Sequence, residues 1–179
     1  PQEIARLFDA APNRKIRTML KTCYGAGLRT SELTRLKVSD IDSGHMTLWV
    51  RQGKGKKDRA GLLTPTLLHE LRAYWREYRP SEWLFPRDKG TLYMRPESFG
   101  THFRAIRDKV NKNKACGAHS LRHSFATHMV ASGADIFTVQ RLLGHKSIST
   151  SMIYIHLAQS VVLSNARNLD LLQLKPLTR

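Results

Sequence analysis

The chain has 179 residues and a mass of 20.4 kDa, which suits one domain with a sizeable core and is short for two. Thirty Lys and Arg residues against fourteen Asp and Glu give a formal net charge of +16, and 41% of the residues are hydrophobic. This composition excludes a disordered basic tail and favours a folded protein that attracts a polyanion, with nucleic acid as the expected partner. An anionic membrane surface and ordinary solvated charge are the alternatives. Because no apolar stretch reaches about 18 residues and the N-terminus lacks a signal-peptide core, we expect a soluble, cytoplasmic protein with no membrane partner.

The first part of the chain alternates helical and β-prone patterns. Apolar residues at helical spacing predict helices over 2–11, 14–25 and 30–36. Two short β-prone runs joined by a polar, basic segment predict a β-hairpin over 45–64. Pro65 then opens a predicted helix to about Arg79, and a loop is expected over 80–95.

The second part of the chain is predicted to be helical. Helices are expected over 96–112, 119–131, 135–143, 147–157 and 159–172. The fold class is therefore predicted as α+β, mostly helical with a small antiparallel β-hairpin or sheet. Cys23 and Cys116 lie on apolar helical patterns without zinc-type spacing, which predicts reduced core cysteines.

Two basic clusters are candidates for contacts with phosphate groups. The tip of the predicted hairpin carries five cations, namely Arg51, Lys54, Lys56, Lys57 and Arg59. Arg104 and Arg107 begin a second cluster on the helix over 96–112. Such residues can follow a nucleic-acid backbone, although a solvated charged face is the simpler interpretation of each cluster taken alone. The glycines near Lys54 lack the spacing of a phosphate-binding P-loop, so ATP is not indicated.

The helix over 119–131 combines a predicted core stripe with polar residues. Leu121, Phe125 and Met129 form the stripe, while His119 and Arg122 lie three residues apart and are predicted to face away from the core. His119 and His123 have i, i+4 spacing but no accompanying Glu or Cys, so zinc is disfavoured and we predict neither a metal nor a cofactor.

The segment over 134–156 has the pattern of a helix, a glycine turn and a second helix. This pattern is compatible with a helix-turn-helix DNA-binding regulator. In that interpretation Lys146, Ser147 and Ser149 would begin a recognition helix, and Tyr154 would only pack.

Four motifs in order distinguish this chain from a simple regulator. They are YGAGLRTSELTRLKVSDID, GKGKKDR, HSLRHSFATHM and LLGHKSISTSMIYIH. The set resembles the tyrosine site-specific recombinases, the phage-integrase and Xer-like family, over nearly the whole chain. The resemblance implies that residues 1–179 form the family's C-terminal catalytic domain, without the N-terminal core-binding domain that completes a clamp around DNA.

The resemblance also implies the active-site residues. Carried over by motif, the catalytic residues are Arg29, Lys54, His119, Arg122, His145 and the nucleophile Tyr154, with Glu32 supporting Arg29. It implies cleavage and rejoining of double-stranded DNA through a 3′-phosphotyrosine and a Holliday junction, by four copies of the protein on DNA. It leaves open whether the C-terminal tail docks on its own chain or on a neighbour. A type IB topoisomerase shares this chemistry and is the nearest enzymatic alternative.

Physical chemistry independently suits these residue types to metal-free phosphodiester cleavage. A tyrosine hydroxyl can conserve the bond as a phosphotyrosine, and two planar guanidiniums, Arg29 and Arg122, can meet the charge that develops on phosphate oxygens. His145 can donate a further hydrogen bond, and His119 can assist proton transfer from Tyr154. Lys54 can protonate the departing 5′ oxygen.

Overall fold

Within the part of the chain that the structure describes, short helices pack with two small antiparallel sheets. The computed structural model describes residues 2–51, 58–87, 92–111, 116–145 and 147–155. The helices are α1 (Gln2–Asp9), α2 (Arg14–Gly25), α3 (Thr30–Thr34), α4 (Pro65–Tyr78), α5 (Pro96–Val110), α6 (His119–Ala131) and α7 (Ile136–Leu143), with a 3₁₀ turn at Val38–Asp40. A further helical segment over 149–155, called here the tyrosine helix, carries Tyr154.

Side-chain caps define where several of these helices begin. Asn13, Thr64 and Asp135 each precede a helix and accept a hydrogen bond from a backbone N–H in its first turn. These caps satisfy amide groups that have no partner within the helix. Pro65 occupies the first turn of α4, where its missing N–H costs no hydrogen bond. The predicted starts of the helices that lie within the described residues are confirmed within two residues.

The sheets contain more strands than the sequence indicates. The predicted hairpin corresponds to β2 (Thr47–Val50) and β3 (Arg59–Leu62), and β1 (Ile41–Asp42) adds a third antiparallel strand beside β2. The segment predicted as a loop over 80–95 contains a second ladder, β4 (Pro86–Arg87) with β5 (Leu92–Tyr93). Strands of two residues are too short to produce a recognisable alternation of apolar and polar residues.

Helix α6 connects two hydrophobic clusters. Leu121 belongs to the larger cluster, which is built around α2, whereas Phe125 belongs to a smaller one that includes Leu143 and Tyr154. The larger cluster buries Cys23, and Cys116 packs against its edge. Helix α6 carries His119, Arg122 and His123 of the candidate site, so packing against both clusters fixes the position of these residues.

Two predicted features fall outside the described residues. They are the tip of the hairpin, with Lys54, Lys56 and Lys57, and the helix over 159–172. Among the helices that the structure describes, none is long and apolar enough to cross a membrane.

Candidate active site

Glu32 is the centre of the candidate site. It lies in the first turn of α3, and its side chain is only 5% exposed. Its carboxylate accepts the backbone N–H of Arg29 at 2.8 Å and the Arg29 Nη1 at 2.6 Å. A carboxylate suits the positive end of a helix, so Glu32 caps α3 and orients Arg29 in one arrangement.

Two further arginines converge on the same carboxylate. Nη2 of Arg59 lies 2.8 Å from Oε2 of Glu32, and Nη1 of Arg122 lies 3.6 Å from that oxygen. Burial alone would raise the pKa of Glu32, but the charge of Arg59 and the hydrogen bonds from Arg29 outweigh it and lower the pKa below its usual value. Three guanidiniums against one ionised carboxylate leave excess positive charge, which suits an anion such as a phosphodiester.

Arg122 is buried, with 1% of its surface exposed. The prediction that it faces away from the core is therefore wrong. Its guanidinium donates to two backbone carbonyls, those of Gly27 at 2.8 Å and Leu143 at 2.5 Å. Burial, with repulsion from Arg29, lowers the pKa of Arg122 to about 10, which leaves it charged at neutral pH.

The carbonyl of Gly27 reaches Arg122 because position 27 has no side chain. Its backbone is left-handed, with φ at +60°, and an added Cβ would lie 2.5 Å from a ring carbon of Phe125. Only glycine combines this conformation with so close an approach. The turn between α2 and α3 therefore packs directly onto α6 and supplies one of the acceptors of Arg122.

His145 follows the left-handed Gly144 at the end of α7. Its Nδ1 lies 2.8 Å from Oγ of the fully buried Ser151. Burial, followed by the charges of Arg122 and Arg29, lowers the pKa of His145 to about 4, so the ring is neutral at pH 7. When the Ser151 hydroxyl donates to Nδ1, Nε2 carries the proton and can donate to a phosphate oxygen.

Tyr154 lies within the smaller hydrophobic cluster and is 2% exposed. Its hydroxyl lies 3.1 Å from Nδ1 of His123, and its ring stacks on His145 with the centroids 6.2 Å apart. Burial raises the pKa of Tyr154, while the charges of Arg122 and Arg29 oppose that rise. The two arginines thus favour the ionised oxygen that a nucleophile needs.

These side chains line one cleft of about 390 Å³. Its walls are formed by Arg29, His119, Arg122, His123, His145, Ser149, Thr150, Ile153 and Tyr154. The structure therefore brings together five of the six residues predicted to be catalytic. The sixth, Lys54, lies outside the described residues.

Comparison with known proteins agrees with this geometry. The family model of the phage integrase family matches residues 1–160. The chain belongs to the phage integrase family. A Sinorhizobium fredii protein assigned as an integrase/recombinase is 42% identical over 172 residues, which cover 96% of this chain and 56% of that protein.

Two solved structures extend the comparison to the fold. The crystal structure of XerA recombinase aligns with a TM-score of 0.82 at 29% identity, over 93% of this chain and 62% of XerA. The XerH site-specific recombinase, in a post-cleavage complex with its palindromic difH substrate, aligns with a TM-score of 0.77 at 26% identity, over 92% of this chain and 51% of XerH. This phage integrase family chain spans little more than half the length of the relatives it matches.

The predicted phosphate contacts of this integrase-family chain lie in different surroundings. Arg51 is 56% exposed and pairs with Asp40, and Arg104 lies on the exposed side of α5. Arg107 donates to the Cys116 carbonyl. These three remain predicted contacts with DNA.

Arg59, by contrast, points inward from the start of β3. Its side chain is 12% exposed, and it contacts Glu32 and the carbonyl of Leu142. Any phosphate contact by Arg59 would therefore occur inside the site and not on an open face.

His123 and Ser151 belong to the site, although they were not among the predicted residues. The i, i+4 spacing of His119 and His123 places both on one face, and their rings meet edge-on with centroids 4.7 Å apart. That spacing was the available signal for His123, and it indicates proximity to His119 without indicating contact with Tyr154. No sequence pattern marks Ser151, because its role depends on the path of the chain after α7.

Proposed function

We propose that this chain is the catalytic part of a tyrosine site-specific recombinase. The enzyme would cut and rejoin double-stranded DNA through a covalent 3′-phosphotyrosine. The observation that carries the proposal is the Tyr154 hydroxyl, which belongs to the same cleft as Arg29, Arg122 and His145. Membership of the phage integrase family and the likeness to XerH in a complex with cleaved DNA support it.

The chemistry begins with attack by Tyr154 on the scissile phosphate. The Oη–P bond forms as the bond from phosphorus to the 5′ oxygen breaks, and the energy of the phosphodiester is conserved in the phosphotyrosine. In the rejoining step a 5′ hydroxyl attacks the phosphotyrosine and releases Tyr154. Neither step requires water, and water attack on the phosphotyrosine would leave a broken strand.

Arg29 and Arg122 would stabilise the negative charge that increases on the non-bridging oxygens. Both are held by Glu32, and Arg122 is held further by two backbone carbonyls. Donors fixed before the reaction need no reorganisation when the charge develops. The neutral His145 would add a hydrogen bond from Nε2 to the same oxygens.

The leaving 5′ oxygen needs a proton, because an alkoxide is a poor leaving group. Lys54 is the proposed donor, on the segment between β2 and β3. The register pairs Val50 with Arg59, so this segment leaves and rejoins the sheet beside the residue that contacts Glu32. His119 would contribute to the cleft as a further phosphate ligand or proton carrier.

Strand exchange requires two DNA duplexes and four active sites. We therefore propose a homotetramer on DNA, a Holliday-junction intermediate, and action in the cytoplasm at the nucleoid. Residues 1–179 would act as the catalytic domain of a longer clamp around DNA. The shared match with XerA and XerH, which continue beyond the aligned region, supports this arrangement.

Adduct formation on nicked DNA tests the proposal. A pool of nicked duplexes with randomised sequence is incubated with the chain, and SDS-resistant protein–DNA adducts are isolated and sequenced. Cleavage near the nick releases a short strand, which prevents rejoining and lets the adduct accumulate. The chain should form such adducts at Tyr154, and Tyr154→Phe should bind the same pool without forming them.

Other results would favour the alternatives. Binding without any adduct would indicate a helix-turn-helix regulator and overturn the proposal. Adducts accompanied by relaxation of supercoiled plasmid, but without exchange of strands between two duplexes, would indicate a topoisomerase-like activity.

A further inference from the structure

The hydroxyl of Tyr154 has a defined partner in the cleft. Nδ1 of His123 lies 3.1 Å from the Tyr154 Oη, and the two rings lie 5.8 Å apart. His119, the histidine that the sequence suggests for proton transfer, contacts the ring of His123 edge-on. The structure therefore places His123 at the reacting oxygen, with His119 beside it.

His123 is in the correct ionisation state to accept a proton. Burial, followed by the charge of Arg122, lowers the pKa of His123 below its usual value, so the ring is neutral at pH 7. A neutral imidazole has one nitrogen that donates and one that accepts. When Nε2 carries the proton, Nδ1 can accept the hydrogen bond of the Tyr154 hydroxyl.

The electrostatic surroundings favour transfer once DNA is bound. The charged and titratable groups around His123 are Arg122 and His119 on its own helix, with His145 and Tyr154 across the cleft. A bound phosphodiester opposes the charge of Arg122, and its negative charge grows as the nucleophile adds. An imidazolium at His123 becomes less costly at the moment when the tyrosine loses its proton.

We propose that His123 is the catalytic base that accepts the proton of Tyr154. The inference rests on the proposed function and adds a residue to it. The Oη–H bond breaks as the proton moves to Nδ1, the Oη–P bond forms, and the bond from phosphorus to the 5′ oxygen breaks. The leaving oxygen takes its proton from the ammonium of Lys54. In the rejoining step the attacking 5′ hydroxyl returns its proton to Lys54 and His123 returns its proton to Tyr154, so no net charge accumulates at the site.

Three variants of α6 separate a base from a structural partner. His123→Ala removes the ring, and His123→Asn keeps a polar group near the position of Nδ1 but cannot hold the proton. His128→Asn is the matched control, because His128 also lies on α6 but does not line the cleft, and its Nδ1 lies 2.8 Å from the hydroxyl of Tyr24 on α2. All three variants are compared with wild type in thermal unfolding and in their affinity for one duplex. The sequence of this duplex is taken from the covalent adducts that the nicked-DNA assay isolates.

The rate of adduct formation is then measured in single turnovers from pH 5 to 9. Both His123 variants should lose about 10²- to 10⁴-fold in rate while DNA affinity stays within about threefold. The wild-type rate should fall at acidic pH, where His123 is protonated. In the variants the rate should no longer level off as it does in wild type once His123 is neutral, and it should instead rise steadily with pH over the whole range as hydroxide replaces the base. His128→Asn should retain the wild-type rate and profile.

A sulfur-containing substrate distinguishes a base from an acid. When sulfur replaces the bridging 5′ oxygen, the leaving thiolate needs no proton, but Tyr154 must still lose one. The defect of His123→Ala should therefore persist on this substrate. Rescue by sulfur would make His123 an acid and overturn the proposal.

Two other outcomes would also overturn it. Wild-type activity in His123→Asn, with loss in His123→Ala, would reduce His123 to a hydrogen-bonding partner. An unchanged pH profile in both variants would assign the base elsewhere. If wild-type protein forms no adduct at all, it is the proposed function that fails. If wild type forms adducts and both His123 variants form them at the wild-type rate, only the assignment of His123 fails.

Discussion

Nη2 of Arg59 lies 2.8 Å from Oε2 of Glu32, and this ion pair joins β3 to the carboxylate that also holds Arg29. The same guanidinium donates to the carbonyl of Leu142 near the end of α7. Arg59 therefore connects the second strand of the hairpin with α3 and α7. Arg29 is held by Glu32, and His145 follows the end of α7. Through Arg59, the positions of both residues therefore depend on the hairpin.

Replacing Arg59 with Met should weaken both the fold and the site. The variant keeps much of the side-chain volume but removes the contacts with Glu32 and Leu142, which should lower the free energy of unfolding by about 1–3 kcal/mol. Urea unfolding measures this loss. Arg51→Met is the matched control, because Arg51 follows Val50, the residue paired with Arg59, and its side chain is 56% exposed. Its urea midpoint should change little. Equal losses in both variants would contradict the structural role of Arg59.

Glu32 should make the stability of the protein depend on pH. Its pKa is lower in the folded chain than its usual value, so it stabilises the fold above the ordinary glutamate pKa of about 4.3, and this contribution is lost as pH falls through the lower folded value. Urea unfolding from pH 7 to pH 3 should show the loss in wild type. Glu32→Gln should be less stable at pH 7, and the difference from wild type should shrink toward pH 3. A constant difference across this range would refute the assignment.

The features that were predictable from the sequence have local causes. Pro65 and the cap at Thr64 mark the start of α4, and Gly144 marks the end of α7 through its left-handed backbone. Periodicity over a dozen residues located α2 and α6. The order of the four motifs, through the resemblance to tyrosine recombinases, then predicted that Arg29 and Tyr154 belong to one site. Both residues line the same cleft, which agrees with that prediction.

The features that were not predictable depend on contacts distant in sequence. Arg122 faces inward because the carbonyl of Gly27, 95 residues away, and that of Leu143 accept its N–H groups. Arg59 belongs to a strongly basic segment that suggests a solvated face, yet Glu32 draws it inside. Helical spacing can place two residues on one face, but it does not indicate what that face meets.

Gly27 should be intolerant of even the smallest side chain. Gly27→Ala combines a left-handed backbone with a Cβ 2.5 Å from Phe125, and it should lower the free energy of unfolding by about 2–5 kcal/mol through strain and overpacking. Gly133→Ala is the matched control, with a φ of +92° but no atom within 4 Å of the added Cβ. It should cost about 1–2 kcal/mol. Similar losses in the two variants would mean that Phe125 yields easily to the new methyl group.

The two active-site arginines should differ in their effect on stability. Arg29→Ala and Arg122→Ala should each slow adduct formation by about 10²-fold or more, the scale expected for loss of a fixed donor. Arg122→Ala should also lower the urea midpoint clearly, because it leaves two buried carbonyls without their donor, whereas the partly exposed Arg29 supports less of the fold. Rate and stability are measured on the same preparations. If each variant lost DNA binding and cleavage equally, the arginines would only position the substrate.

The last prediction concerns the acid that protonates the 5′ oxygen. Lys54 precedes Arg59 by five residues, which limits the separation of their Cα atoms to about 17 Å, and the corresponding limits for Lys56 and Lys57 are shorter because fewer residues intervene. Distance along the chain therefore does not choose among the three lysines, but leaving-group chemistry does. Lys54→Ala should slow cleavage of ordinary DNA severely and recover on a substrate with sulfur at the bridging 5′ position, because a thiolate leaves without a proton. Arg29→Ala should stay slow on both substrates, since it lacks charge stabilisation at the phosphate. Recovery by sulfur in Lys56→Ala or Lys57→Ala, with Lys54→Ala active on ordinary DNA, would assign the acid to that lysine instead.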